Sequence, residues 1–159
     1  MTLIYILPPG RAKIWDKDPN TGSTTARNAY TGTLFKRGVA YTEMHNADWV
    51  VLSAHHGFLF PDDFIHEPYD VGFHHKSAYV IDHDKLNDMW LKRGLGNYQT
   101  IAALTGKKHL KVLAPLLSQH QDLIQPLANC RGIGDMLHNL NFALMHHTYL
   151  SSEEVKTFN

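Results

Sequence analysis

Apolar residues gather along this chain in short blocks separated by longer mixed segments. Leu3–Leu7 is apolar throughout, which predicts a central strand buried on both faces. Trp49–Ser53, Thr100–Leu104 and the shorter Leu123–Leu127 read as three further strands. Helical spacing fills the intervals. Thr31–Asn46 carries a broad stripe of Leu34, Phe35, Val39, Tyr41 and Met44, with Thr31 or Thr33 as its cap. Asp82–Arg93 points Leu86, Met89 and Trp90 inward, with Asp82 or Asp84 near its start and Gly94 at its C′ position. His109–Ser118 is a helix that Pro115 should kink or limit. Asp135–His146 closes the series with Met136, Leu137, Leu140 and Leu144 facing inward.

This strict alternation predicts an α/β fold. The expectation is a single three-layer domain over residues 1–150, with four mainly parallel strands in the order 2-1-3-4 and helices on both faces. Residues 151–159 read as a flexible tail. In that strand order the switch point lies between the first and third strands, and ligands of open α/β sheets bind outside the carboxyl ends of strands.

Composition narrows the picture modestly. The 159 residues are 43% hydrophobic, ordinary for one globular domain. Fifteen basic residues balance fifteen acidic ones, so no global charge points to nucleic acid or membranes. A local basic patch would still suffice to hold phosphate. The lone cysteine, Cys130, forms no intrachain disulfide, which fits a reducing compartment. The Leu3–Leu7 run is too short for a signal peptide, and no apolar run reaches membrane-spanning length. A cytoplasmic protein without membrane contact is expected. Twelve histidines include the pairs His55-His56, His74-His75 and His146-His147. Adjacent residues diverge on strand and helix alike, so such pairs chelate poorly. Neither HExxH nor CxxC spacing is present. No metal and no cofactor are therefore expected.

Candidate chemistry lies in the loops that the predicted fold delivers to one edge. The first supplies Pro8, Gly10, Arg11, Lys13 and Trp15; the second Ser53, His55, His56, Asp62, Glu67 and Asp70; the third Thr105, Gly106, Lys107 and Lys108; the fourth Asn129, Arg131, Gly132 and Gly134. Glycines admit close backbone approach, Gly106 and Gly134 precede helix starts that favour anions, and the cations neutralise phosphate. Trp15 serves either as a stacking platform for a base or as a lid over the core. The carboxylates Asp62, Glu67 and Asp70 could activate water or steady a developing cation, and His55 could protonate a departing base. Each group also has a plain structural use, as a solvated loop charge, a turn residue or a packing element. Cys130 reads best as a small buried thiol.

The ordered segments LIYILPPGRAKIWD, AYTGTLFKRGVAYTE, WVVLSAHHGFLFPDDFIHEPYD, LTGKKHLKVL and PLANCRGIGDMLHNLN resemble an uncharacterised bacterial and phage family, a domain of unknown function (DUF6884). LSAHHGFLFPDD with EPYD, and CRGIGDM, are its most specific parts here. Members of that family commonly carry a Cys-Gly pair where this chain has Pro8-Pro9-Gly10, and Lys and Tyr where it has His55 and His56. Neither a first-loop thiol nor a Lys at position 55 is therefore carried over. The layout of strands and ligand loops is also loosely similar to the uracil-DNA glycosylase superfamily. GQDPY-type and HPS-type motifs are absent, so no catalytic residue is transferred from it.

Three functional expectations follow. The leading one is a nucleobase-, nucleotide- or DNA-directed hydrolase, N-glycosidase-like. Its catalytic candidates are Glu67, Asp62, Asp70 and His55. Its ligand-binding candidates are Gly10, Arg11, Lys13, Trp15, Ser53, Gly106, Lys107, Asn129, Arg131 and Gly132. The alternative is a non-catalytic nucleotide or nucleic-acid sensor, of use in phage–host conflict. A metal-dependent hydrolase using His55, His56, Asp62 or His66 is the third.

Overall fold

The structure, a computed structural model, describes residues 2–75 and 78–150. Five strands form the main sheet in the order β4-β3-β1-β6-β7. β1 (Leu3–Leu7) runs parallel to β3 (Asp48–Ser53) on one side and to β6 (Thr100–Ala103) on the other. β7 (Asp122–Ile124) continues the parallel set beside β6. These four strands stand in the order expected. The fifth, β4 (Gly57–Leu59), was not expected and pairs antiparallel with β3, in register from Val51↔Leu59 to Ser53↔Gly57. It escapes sequence reading because only Ala54-His55-His56 separate it from β3, so the two strands read as one run with a polar break. Gly57 sits at φ 75°, a conformation that favours glycine, and turns the chain back.

The period of two along each strand is realised on both faces. Tyr5, Leu7, Trp49, Val51 and Ala102 pack with Phe35 and Tyr41 of α2 (Thr33–Met44) and Leu140 and Ala143 of α5 (Ile133–His146). Ile4, Ile6, Val50, Leu52, Ile101 and Ala103 pack on the other face against Leu86 and Trp90 of α3 (His83–Lys92) and Leu113 of α4 (Lys107–Leu113). Each large side chain buried in this way contributes about 1.5–3 kcal/mol. The result is the three-layer α/β domain that the alternation implied.

Helix ends follow local chemistry. Asp82 caps α3 by accepting from the Lys85 N–H at 2.8 Å, and Gly94 closes it at φ 77°. α2 is capped by Gly32, with no side-chain bond from Thr31 or Thr33. α4 starts two residues earlier than expected, at Lys107, and gives way to a 3-10 turn over Ala114–Leu116. Pro115 has no N–H to continue the ladder there. The fourth strand is also earlier and shorter than Leu123–Leu127; Leu127 is buried in the turn that follows it. The tail expected over residues 151–159 lies outside the described residues. Among the described residues, no helix is long and apolar enough to cross a membrane.

The two long loops expected to be irregular contain structure of their own. β2 (Thr24–Thr25) in the first pairs antiparallel with β5 (Phe64–Ile65) in the second. The short helix α1 (Ala26–Ala29) is hung on the second loop through Ala26 N–H to Asp63 O (2.8 Å) and Arg27 N–H to Pro61 O (3.0 Å). This small sheet ties together the segments that approach the site.

Candidate functional site

β1 ends at Leu7, and Pro8-Pro9 carry no N–H to extend the ladder. Gly10 then turns at φ 73°. Lys13 bridges antiparallel to Tyr30, and Thr31 N–H donates to Ala12 O at 3.1 Å. The backbone N–H of Lys13 also donates to Asp16 Oδ2 at 2.9 Å, closing a 3-10 turn over Ile14–Asp16. The chain is thereby folded back so that a lysine two residues from solvent-exposed Arg11 is only 6% exposed.

β3 delivers a second group. Ser53 is fully buried at its end and accepts from the N–H groups of His55 (3.2 Å) and His56 (3.1 Å). Its hydroxyl donates to the Tyr69 phenol at 2.9 Å. That phenol is in turn hydrogen-bonded to the phenol of Tyr30. Burial pushes the pKa of both phenols upward, outweighing the hydrogen bonds that Tyr69 receives, so both keep their protons. His55 stacks on Tyr69 with centroids 5.3 Å apart, and His56 meets it edge-on at 4.8 Å. Burial, and then the neighbouring His55, push His56 down.

These pieces enclose a cavity of about 340 Å³. Pro9, Gly10, Arg11 and Lys13 form one wall and Ala54 its floor; Tyr69 to His75 form a second wall, and Lys108 and His109 a third. The walls come from the loops after β1, β3 and β6, beside the switch point between β1 and β6. An adjoining cleft of about 400 Å³ shares Arg11, Lys13, Tyr69 and Asp70 and adds Asp16 and Pro68.

Among the charged groups of the lining, cations outnumber carboxylates. Arg11, Lys13 and Lys108 face one carboxylate among the described lining residues, Asp70, which lies 3.7 Å from Arg11. The Lys13 ammonium donates to Arg11 O at 3.0 Å and sits 4.6 Å from the Tyr69 ring centroid. Burial, with a smaller push from Arg11, lowers its pKa against the opposing pull of Asp70 and Asp16. His109 meets Phe73 edge-on at 5.1 Å, and burial drives its pKa down to about 4. It is therefore a neutral imidazole at pH 7. His74 and His75 pack at 4.0 Å, and His74 is lowered chiefly by His75.

The sequence-derived candidates divide sharply. Gly10, Arg11, Lys13 and Asp70 line the cavity. Ser53 and His55 stand behind and beside Tyr69, one bond or one ring removed from it. Trp15 lies outside, buried in the core with its Nε1–H donated to Thr21 O at 2.8 Å. Asp62 and Glu67 are exposed and outside the lining, because β5 runs between them and leads away along β2. Their neighbour Asp63 is structural: it accepts from Phe60 N–H and takes both Arg93 nitrogens, at 2.8 and 3.1 Å. Gly106 and Lys107 are exposed at the start of α4, where the helix turns Lys108 and His109 to the cavity instead. Asn129, Arg131 and Gly132 are exposed beside edge strand β7 and do not reach it. Tyr69, Phe73, Lys108 and His109 are not among the binding or catalytic candidates read from sequence, although the third-loop set already holds Lys108. Helical register at TGKKH was the available signal for the last two.

A family of unknown function (DUF6884) matches residues 17–142, most of the chain. The chain belongs to this family. A relative, the uncharacterized protein YfjM of Bacillus subtilis (strain 168), is 35% identical over 144 residues, covering 91% of this chain and 96% of that protein. Within this DUF6884 chain, no group of three or more His, Cys, Asp or Glu suited to a metal ion occurs among the described residues.

Proposed function

We propose that the cavity takes a nucleotide, free or within a nucleic acid, and that the protein is an N-glycosidase-like hydrolase acting on it. The observation that carries this reading is the lining itself: three cations and several rings around about 340 Å³ at the carboxyl edge of the sheet. Arg11 and Lys108 supply charge for a phosphate. Phe73 offers a flat surface for a base or sugar. Asp70, at the rim, is the carboxylate placed to steady an oxocarbenium-like sugar or to position water. A base within a duplex would have to be extruded to reach so enclosed a site.

A non-catalytic sensor is the second reading. Its support is that Asp70 is held by Arg11 while Asp62 and Glu67 stand outside. Titration with nucleoside monophosphates and a short single-stranded oligonucleotide, together with an assay for released base, separates the two. Hydrolysis predicts saturable binding and base release that disappears in Asp70→Asn. Binding without release selects the sensor, and absence of binding removes both.

A further inference from the structure

A charged side chain that is nine-tenths buried beside a cavity needs a reason, because burying an ammonium is costly unless something repays it. Lys13 is 6% exposed. Among the described residues its one hydrogen-bond acceptor is Arg11 O, and the face of Tyr69 lies against the amine. No carboxylate forms an ion pair with it among the described residues, although Asp70 and Asp16 are near enough to be felt. A structural lysine would be better served by a direct carboxylate partner. A lysine whose amine is buried at the wall of a cavity has the desolvated surroundings that favour an uncharged, nucleophilic nitrogen.

We infer that Lys13 is an amine nucleophile that forms an imine with the aldehyde carbon of an open-chain pentose phosphate. This rests on the nucleotide reading above and names what the site does next. Hydrolysis of a glycosidic bond leaves a sugar whose C1′ opens to an aldehyde. The neutral Lys13 nitrogen donates its electron pair to that carbon and a C–N bond forms. The carbonyl oxygen takes up both amine protons and leaves as water, its bond to carbon replaced by the second C–N bond of the imine. Addition of water reverses the step and frees the amine. No oxidant or reductant is consumed. Arg11 and Lys108 hold the phosphate, and the Tyr69 ring lies against the amine. The buried amine is thus matched to the product of the reaction proposed for the same cavity.

The test uses the full chain, sodium cyanoborohydride and two probes, a single-stranded oligonucleotide with one abasic site and free 2-deoxyribose 5-phosphate. Reduction fixes any imine as a stable secondary amine, read by intact mass and peptide mapping. The expected result is one adduct per chain, mapped to Lys13, lost in Lys13→Arg and Lys13→Met, and reduced about tenfold in Lys108→Ala. Adduct with the oligonucleotide alone assigns the strand as the source of the aldehyde; adduct with both assigns the sugar phosphate unit. Mapping on the unaltered protein needs no variant, so misfolding of a Lys13 variant leaves the outcome decided. Probe binding, measured without reductant, that yields no adduct, or adduct scattered over exposed lysines, overturns the nucleophile while leaving the nucleotide reading intact. No binding of either probe or of nucleoside monophosphates overturns both.

Discussion

The loops after β1 and after β7 look equivalent in composition, and the structure makes them opposites. Each has an arginine, a glycine and polar neighbours following an apolar strand. The β1 loop leaves the middle of the sheet, so the β3 side and the β6 side both flank it. It is walled in, and it carries a buried lysine, a left-handed glycine and a share of a cavity. The β7 loop leaves the edge of the sheet and has neighbours on one side only. Asn129, Arg131 and Gly132 stay exposed, and its internal bonds, such as Arg131 N–H to Asp135 Oδ2 at 3.1 Å, serve only to start α5. Even its thiol is muted, since burial and then Asp135 push the Cys130 pKa up. Position in the strand order, more than residue type, decides which loop has the enclosure that chemistry needs.

The largest expected effect contrasts the two loops directly. Replacing Arg11 and Lys108 together by alanine should weaken nucleotide binding roughly a hundredfold, at about 1.5 kcal/mol for each charge-assisted contact. Replacing Asn129 and Arg131 together should change it less than about twofold. Calorimetric titration with nucleoside monophosphates reads both, and equal losses would abolish the distinction.

A pH effect should come from the cavity side. His109 titrates near 4 in the folded protein, below its ordinary 6.5. Between those values the unfolded chain binds the proton and the folded one does not, so stability falls as pH drops through that window. About 2 kcal/mol should be lost between pH 7 and pH 5 on this account. Urea unfolding at both pH values should show this part of the loss vanish in His109→Phe.

Tyr69→Phe comes next. It strips a hydroxyl that Ser53 and the 1% exposed Tyr30 both use, and should cost about 1–2 kcal/mol in urea unfolding. A loss under roughly 0.3 kcal/mol would mean that the buried phenols find other partners.

The smallest contrast is between glycines. An added Cβ meets nothing within 4 Å at Gly10 or at Gly132. Gly10 sits at φ 73°, however, whereas Gly132 at φ 169° is in extended backbone that any residue adopts. Gly10→Ala should therefore cost about 1 kcal/mol and Gly132→Ala close to nothing.

The fold was legible because both faces of the sheet are covered. Such strands must be apolar throughout, and Leu3–Leu7 and Trp49–Ser53 announce themselves. Asp82 and Gly94 marked α3 for equally local reasons. β4 and β5 did not show, because strands of three and two residues carry no period to read. The site was legible by loop and not by residue. Four carboxylates crowd one loop, Asp63 among them, yet whether Asp62, Glu67 or Asp70 faces the cavity depends on the β2–β5 pairing, a contact between segments some forty residues apart. The burial of Lys13 was hidden for the same reason. Its cover is Tyr30 and Tyr69, and nothing adjacent to it in sequence signals their arrival.

That same small ladder sets a rule for divergence. Thr24↔Ile65 and Thr25↔Phe64 fasten the two loops to each other as well as to the sheet. An inserted or deleted residue between Thr25 and Tyr30 shifts the panel carrying Tyr30, and one between Ile65 and Tyr69 shifts that carrying Tyr69. Homologues that remodel this mouth must therefore alter both segments in concert, and length changes in them should be inherited as pairs.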